Sequence, residues 1–363
     1  MTRERVNEID LLRFLAALAV VFFHYAFRGY AAGGLSPMPY PLLAPLAKYG
    51  YLGVQLFFLI SGFVILMTAA GGSLRSFFVS RAVRLYPAFW ACCTVTFLLM
   101  AAAGPQARAV SPLQYLANMT MLSGFFGVPS VDGVYWSLFV ELRFYALVAL
   151  VLALGWIRHV ERLLLAWLAV TAVLEIWPEG ALRSLLVSDF AAYFVGGGLA
   201  YLIWSQGLSR SRGIGLGLAW GLALWQSQVE AADAAVYYRT DLDPLVVGGL
   251  VSLAFAVMLL VALRRTGWFG RRQWAGLGAL TYPLYLLHQN LGYLIFNAAY
   301  PALNPHLLLW GTVLLMLGAA WAVNAGIERR TAAALKKGLN GALDSCFPSL
   351  APQAGRAGDG TPP

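Results

Sequence analysis

Long apolar runs recur along the chain with little between them but short polar connections. Crossing about 30 Å of hydrocarbon takes about 20 mostly apolar helical residues. Ten stretches qualify, at approximately 10 to 29, 50 to 70, 86 to 104, 135 to 155, 163 to 178, 189 to 205, 213 to 228, 244 to 263, 276 to 297 and 307 to 327. The pattern predicts an all-α, polytopic transmembrane bundle of about ten spans occupying residues 1 to 330. A short cytoplasmic tail, 331 to 363, follows, and its composition in Pro, Gly and Ala predicts disorder after 345.

Basic residues between the runs orient the bundle. With the N-terminus cytoplasmic, 18 of the 25 Lys and Arg residues fall on the cytoplasmic side, among them Arg75, Arg81, Arg84, Arg264 and Arg329. Five fall outside (Arg28, Lys48, Arg108, Arg183 and Arg239), and Arg13 and Arg143 lie within spans. Both termini are therefore expected inside, and the net charge of +9 reads as topology signal and attraction to anionic headgroups, with no nucleic-acid partner required. Only 11% of the 363 residues are charged and 60% are apolar, which excludes a soluble globular enzyme, where roughly 25% would be charged. Cys92, Cys93 and Cys346 have no metal-binding or redox spacing, so no metal is expected. The first run follows Arg3 and Arg5 as a secretory signal would, but Asp10, Arg13 and His24 inside it do not suit one.

Charged groups within spans cost at least ~2.5 to 3.5 kcal/mol, which makes each a functional candidate. Arg13 and His24 are eleven residues apart, close to a whole number of helical turns, and so share a face about 16 Å apart along the axis. Arg13 then lies near the cytoplasmic surface and His24 in the outer half of the bilayer, where a histidine can serve as a base. Asp10, one turn before Arg13, can pair with it. The alternative is an interfacial Asp10–Arg13 ion pair with His24 hydrogen-bonded to a neighbouring helix.

Arg81 and Arg84, in Ser80-Arg81-Ala82-Val83-Arg84-Leu85-Tyr86-Pro87, sit three residues apart on one helical face at the cytoplasmic end of the third run. They can fork onto phosphates of a coenzyme A, a nucleotide or a lipid, or simply mark topology. The fourth run places Ser137, Glu141, Phe144 and Tyr145 on one face and Arg143 on another. Glu141 is either an active carboxylate or half of a helix–helix salt bridge. In the ninth run Thr281, Tyr285 and His288 form a polar stripe beside Tyr282, Gln289 and Asn290, dense enough to favour a wet cavity over simple helix adhesion. Gly50, Gly53 and Gly62 suit close packing of the second run, and the stretch around Ser61 is expected to carry no chemistry.

Taken in order, these segments resemble the bacterial membrane acyltransferase-3 family, O-acyltransferases of cell-envelope and exported glycans, over residues 5 to 330. The first-helix Arg and His signature is matched by Arg13 and His24, and the GV-x-LFF-x-x-SGF signature by Gly53 to Phe63. The RxxR before Tyr-Pro is Arg81, Arg84, Tyr86 and Pro87. Trp136 to Tyr145 and Thr281 to His288 supply the remaining two. Leu11 and Phe14 stand where Gly is frequent, and Thr281 where Ser is frequent. The resemblance implies that His24 and Arg13 are catalytic, that Arg81 and Arg84 hold acyl-CoA, and that Glu141 belongs to the active cavity. Asp10, Ser137, Tyr145, Tyr282, Tyr285 and His288 are further cavity candidates. It also implies the minimal form of the family, without an appended extracytoplasmic domain.

The expectation is thus a multi-pass enzyme of the bacterial inner membrane transferring an acyl group, acetyl foremost, from acetyl-CoA as donor substrate to a saccharide hydroxyl, free or lipid-linked. No bound cofactor is expected. Direct transfer and an acyl-histidine intermediate are both compatible with these residues. The alternatives are acylation of a small molecule or lipid and, in another class, a proton-coupled transporter.

Overall fold

A computed structural model describes residues 6 to 104 and 109 to 346. It is built of helices, with no strand among the described residues. Long helices stand at all ten expected runs: α1 (Asn7–Ala31), α2 (Leu52–Ala69), α3 (Leu74–Ala103), α4 (Tyr135–Ala153), α5 (Val160–Ile176), α6 (Ser188–Gln206), α7 (Arg210–Tyr238), α8 (Pro244–Ala262), α9 (Ala275–Ala299) and α10 (Pro305–Val323). An eleventh, α11 (Arg329–Cys346), continues α10 through a π-helical turn, Asn324–Glu328.

Seven of the described helices are long and apolar enough to cross a membrane. α5, α7 and α9 are not among them. α5 has only 17 residues, and α9 interrupts its apolar run with Tyr282, Tyr285, His288, Gln289 and Asn290. Large apolar side chains such as Leu98, Leu150, Val173, Leu253 and Leu314 lie exposed on the outside of the bundle. In water such a surface would aggregate; against lipid tails it is the required one. The chain is a polytopic helical membrane protein.

The helix bounds differ from the apolar runs where polar residues extend a helix. α3 starts at Leu74, twelve residues before the expected span, because Ser73 caps it by accepting from the Ser76 amide. Arg81 and Arg84 therefore sit two turns and more inside a rigid helix. α11 lies in the expected tail and docks on α3, with Arg75 donating to Asp344 and to the Asn340 side chain and carbonyl. The stretch expected to be disordered lies, from residue 347 on, outside the described residues.

α2 and α6 are the most enclosed helices and pack closest to one another. Their approach depends on glycine: a Cβ on Gly62 would run into the Phe194 carbonyl, and one on Gly197 into the Leu59 carbonyl. Gly50 and Gly53 face the Ala19 and Ala16 carbonyls of α1 in the same way, as their spacing predicts. Gly197→Ala is expected to push α2 and α6 apart at a cost of about 1 to 3 kcal/mol. Thermal unfolding of the purified protein in detergent should show the loss; an unchanged midpoint would mean the contact is not tight.

Candidate active site

Two adjoining chambers open between α1, α2, α4 and α9. The inner one is lined by Arg13 of α1, Arg81 and Arg84 of α3, Ser137, Glu141 and Tyr145 of α4, and Thr281, Tyr282 and Tyr285 of α9. Most of the residues singled out in the sequence thus line one space. Ser61 of α2, from a stretch expected to serve packing alone, lines the same space. Its Oγ donates to Glu141 Oε1 at 2.6 Å, and Tyr145 OH donates to the same oxygen at 2.7 Å. No salt bridge joins Glu141 to a described residue, so the carboxylate is held by hydroxyls.

The three arginines are not equivalent. Arg84 Nη1 lies 3.2 Å from Glu328 Oε1, and its guanidinium sits 5.8 Å from the centroid of the Tyr282 ring. Arg81 Nε lies 3.4 Å from Ser80 Oγ. No salt bridge between described residues involves Arg81 or Arg13. A lining with three guanidinium groups and one carboxylate suits an anion, phosphate above all, because each fork can give two charge-assisted hydrogen bonds. Arg143 points away, as its helical position predicts, and donates to the Ser184 carbonyl and hydroxyl.

His24 is not in this chamber. It lines the outer one, together with Arg28, Tyr51, Gln55, Glu230, Tyr238 and Gln289. Tyr285 and Val54 line both chambers and form the partition between them. The shared helical face of Arg13 and His24 is therefore divided by depth, and the two residues serve different spaces. Asp10 also lies outside the inner lining, with its carboxylate packed against Gly278 of α9.

His24 begins a π-helical turn, His24–Arg28. Such turns insert a residue into a helix and recur at functional sites. Two contacts fix its ring. Nδ1 lies 2.8 Å from the Val20 carbonyl and 3.2 Å from His288 Nε2, with the ring planes 70° apart. His288 Nδ1 is in turn 2.9 Å from the Tyr285 carbonyl. Carbonyls only accept, so both Nδ1 atoms carry hydrogen. His288 Nε2 then accepts from His24, and His24 Nε2 keeps its lone pair. Burial of both rings holds this arrangement in place. The stripe on α9 thus contributes Tyr285 to the partition and His288 to the orientation of His24.

Asp132, which the sequence reading passed over as part of an outward loop, ties these elements together. Its carboxylate accepts from the amides of Val134 and Asn290, while Asn290 Nδ2 donates to the Val131 carbonyl. Tyr25 OH donates to the His288 carbonyl at 2.7 Å. Ser137 and Tyr285 hydroxyls lie 2.7 Å apart across the α4–α9 contact. The start of α4 is in this way pinned to the histidine segment of α9.

An arginine cluster, a histidine with a fixed lone pair and a hydroxyl-lined partition thus stand side by side, and comparison with known proteins gives the family of the chain. The acyltransferase-domain family matches residues 6–325. The chain belongs to the acyltransferase-3 family. Nodulation protein 10 of Rhizobium leguminosarum bv. viciae is 33% identical over 162 residues, 38% of this chain and 42% of that protein. Peptidoglycan O-acetyltransferase OatA of Listeria monocytogenes is 27% identical over 197 residues, 48% of this chain and 29% of OatA. This acyltransferase-3 chain therefore aligns with less than half the length of either relative. No solved structure matches it.

Proposed function

We propose that this chain is an integral-membrane O-acyltransferase that moves an acyl group, acetyl foremost, from cytoplasmic acyl-CoA to a hydroxyl of a cell-surface or exported saccharide. Family membership supports the reaction class, and the O-acetyltransferase among its relatives supports the choice of acyl group and acceptor. The observation that carries the reading is the pairing of a three-arginine chamber with a histidine chamber across one shared wall. In this reading all ten long helices span the inner membrane, with both termini and the arginine chamber cytoplasmic, as the 18 to 5 charge count favours.

CoA phosphates dock on Arg81 and Arg84, Arg13 adds positive charge deeper in the chamber, and the thioester extends toward Tyr285. The acceptor occupies the outer chamber. His24 Nε2 takes the proton of its hydroxyl as the oxygen attacks the thioester carbonyl carbon. One hydroxyl of the Ser137–Tyr285 pair at the partition turns to donate to the developing oxyanion while the other keeps its bond within the protein. Collapse breaks the carbon–sulfur bond, and the proton passes from the His24 imidazolium to the departing CoA thiolate, leaving the ester and free CoA. Glu141, held by Ser61 and Tyr145, balances the arginines around the donor.

Purified protein in detergent, supplied with radiolabelled acetyl-CoA and an envelope-glycan fraction, is expected to release CoA and label the glycan with no membrane gradient present. A transporter would do neither, and that outcome would overturn the proposal.

A further inference from the structure

The outer chamber holds more unsatisfied chemistry than transfer to a plain hydroxyl requires. Nine buried side-chain polar atoms among the described residues have no hydrogen-bond partner, and three of them, Arg28 Nη1, Tyr51 OH and Gln55 Oε1, belong to residues that line this one space. Arg28 reaches it from the end of the π-helical turn that begins at His24. Its Nε donates to Tyr238 OH at 3.2 Å, which holds the guanidinium without neutralising it.

A structural arginine in such a place would be expected to close on a carboxylate, because an uncompensated charge there is costly. Glu230 shares this chamber and Asp132 adjoins it, next to the lining residues Gly133 and Val134, and both carboxylates are engaged elsewhere. Glu230 lines the same chamber but accepts from Gln55 Nε2 at 2.7 Å, and Asp132 accepts from the two backbone amides of Val134 and Asn290. Neither forms a salt bridge with Arg28. The chamber therefore presents a cation with no carboxylate partner among the described residues, together with a carboxylate, an amide oxygen and a phenol able to bond hydroxyls. Trp136, Tyr51 and Tyr238 add aromatic surface to the lining.

We infer that the outer chamber selects an acceptor carrying both hydroxyls and an anionic group, a carboxylate or a phosphoryl, and that Arg28 is the residue that reads the anion. This rests on the proposed acyl transfer and assigns its acceptor class. Arg28 contacts the acceptor away from the reacting hydroxyl, so it sets specificity while His24 supplies the base.

The test uses the full chain purified in detergent, with radiolabelled acetyl-CoA and three acceptors: methyl glucoside, methyl glucuronide and methyl glucoside 6-phosphate. At least one charged sugar is expected to exceed the neutral one in kcat/KM by about ten- to a hundredfold, the range of one or two hydrogen bonds to a charged group. Preference for the glucuronide identifies a carboxylate, and preference for the phosphate a phosphoryl group. Arg28→Gln should bring the ratio close to one with the affinity for acetyl-CoA retained, and Arg28→Lys should restore part of it. A wild-type enzyme that uses the neutral sugar as well as the charged ones, a ratio unmoved by Arg28→Gln, or acetyl-CoA binding with transfer to none of the three overturns the inference. Failure of the wild type to bind or turn over acetyl-CoA at all would instead strike at acyl transfer itself.

Discussion

His24→Asn is expected to leave the protein folded and its affinity for acetyl-CoA unchanged while acyl transfer falls by at least ~100-fold, the lower range for loss of a general base. Asn keeps an amide that can donate to the Val20 carbonyl in place of Nδ1, so the helix is not left with a new unpaired group. It lacks the lone pair at Nε2, the atom that His288 leaves free by taking up the other side of the ring. Because His24 lines the outer chamber only, the donor has no reason to bind less well. Transfer rate and acetyl-CoA affinity measured on the same preparation check this. Retention of most activity would assign His24 to helix packing.

The second large effect concerns the donor. Replacing Arg81 and Arg84 together with Gln is expected to weaken acyl-CoA binding by roughly 10² to 10⁴, from two charge-assisted contacts of about 1.5 to 3 kcal/mol each. The single variants should be unequal. Arg84 already shares its charge with Glu328, so part of what it offers a phosphate is spent on that pair, whereas Arg81 has no such partner among the described residues. Arg81→Gln should therefore cost more affinity than Arg84→Gln. Equilibrium binding of radiolabelled acetyl-CoA measures all three, and wild-type affinity in the double variant would reduce the pair to a topology signal.

How legible these sites were in the sequence depended on where each side chain stood. Arg13, Glu141 and Tyr285 stand out because a polar group in an apolar helix is costly, and helical periodicity correctly turned Ser137, Glu141 and Tyr145 to one side. Periodicity gives direction around an axis but not which neighbour closes off the space at each depth. That is why Arg13 and His24, predicted as a pair, serve separate chambers. Arg28 reads as an outer loop charge, and Glu230 lies beyond the end of the seventh apolar run, so neither reads from the sequence as lining a cavity. Ser61 sat among residues that explain themselves as packing, and Asp132 in a segment that reads as a turn; only the assembled fold brings them onto Glu141 and Asn290. The tail up to Cys346 likewise forms a helix because α3 offers Arg75 to Asp344 and Asn340, a partner that local composition does not reveal.

The division of labour between the chambers is tested most directly by a cryo-electron microscopy structure of the full chain with a thioether analogue of acetyl-CoA that cannot transfer its acyl group. The CoA phosphates are expected against Arg81 and Arg84, the pantetheine arm past Glu141, and the thioether sulfur at Tyr285 with His24 on the far side. Density for the CoA headgroup in the outer chamber beside Arg28, or an arginine chamber left without ligand at saturating analogue, would contradict the account.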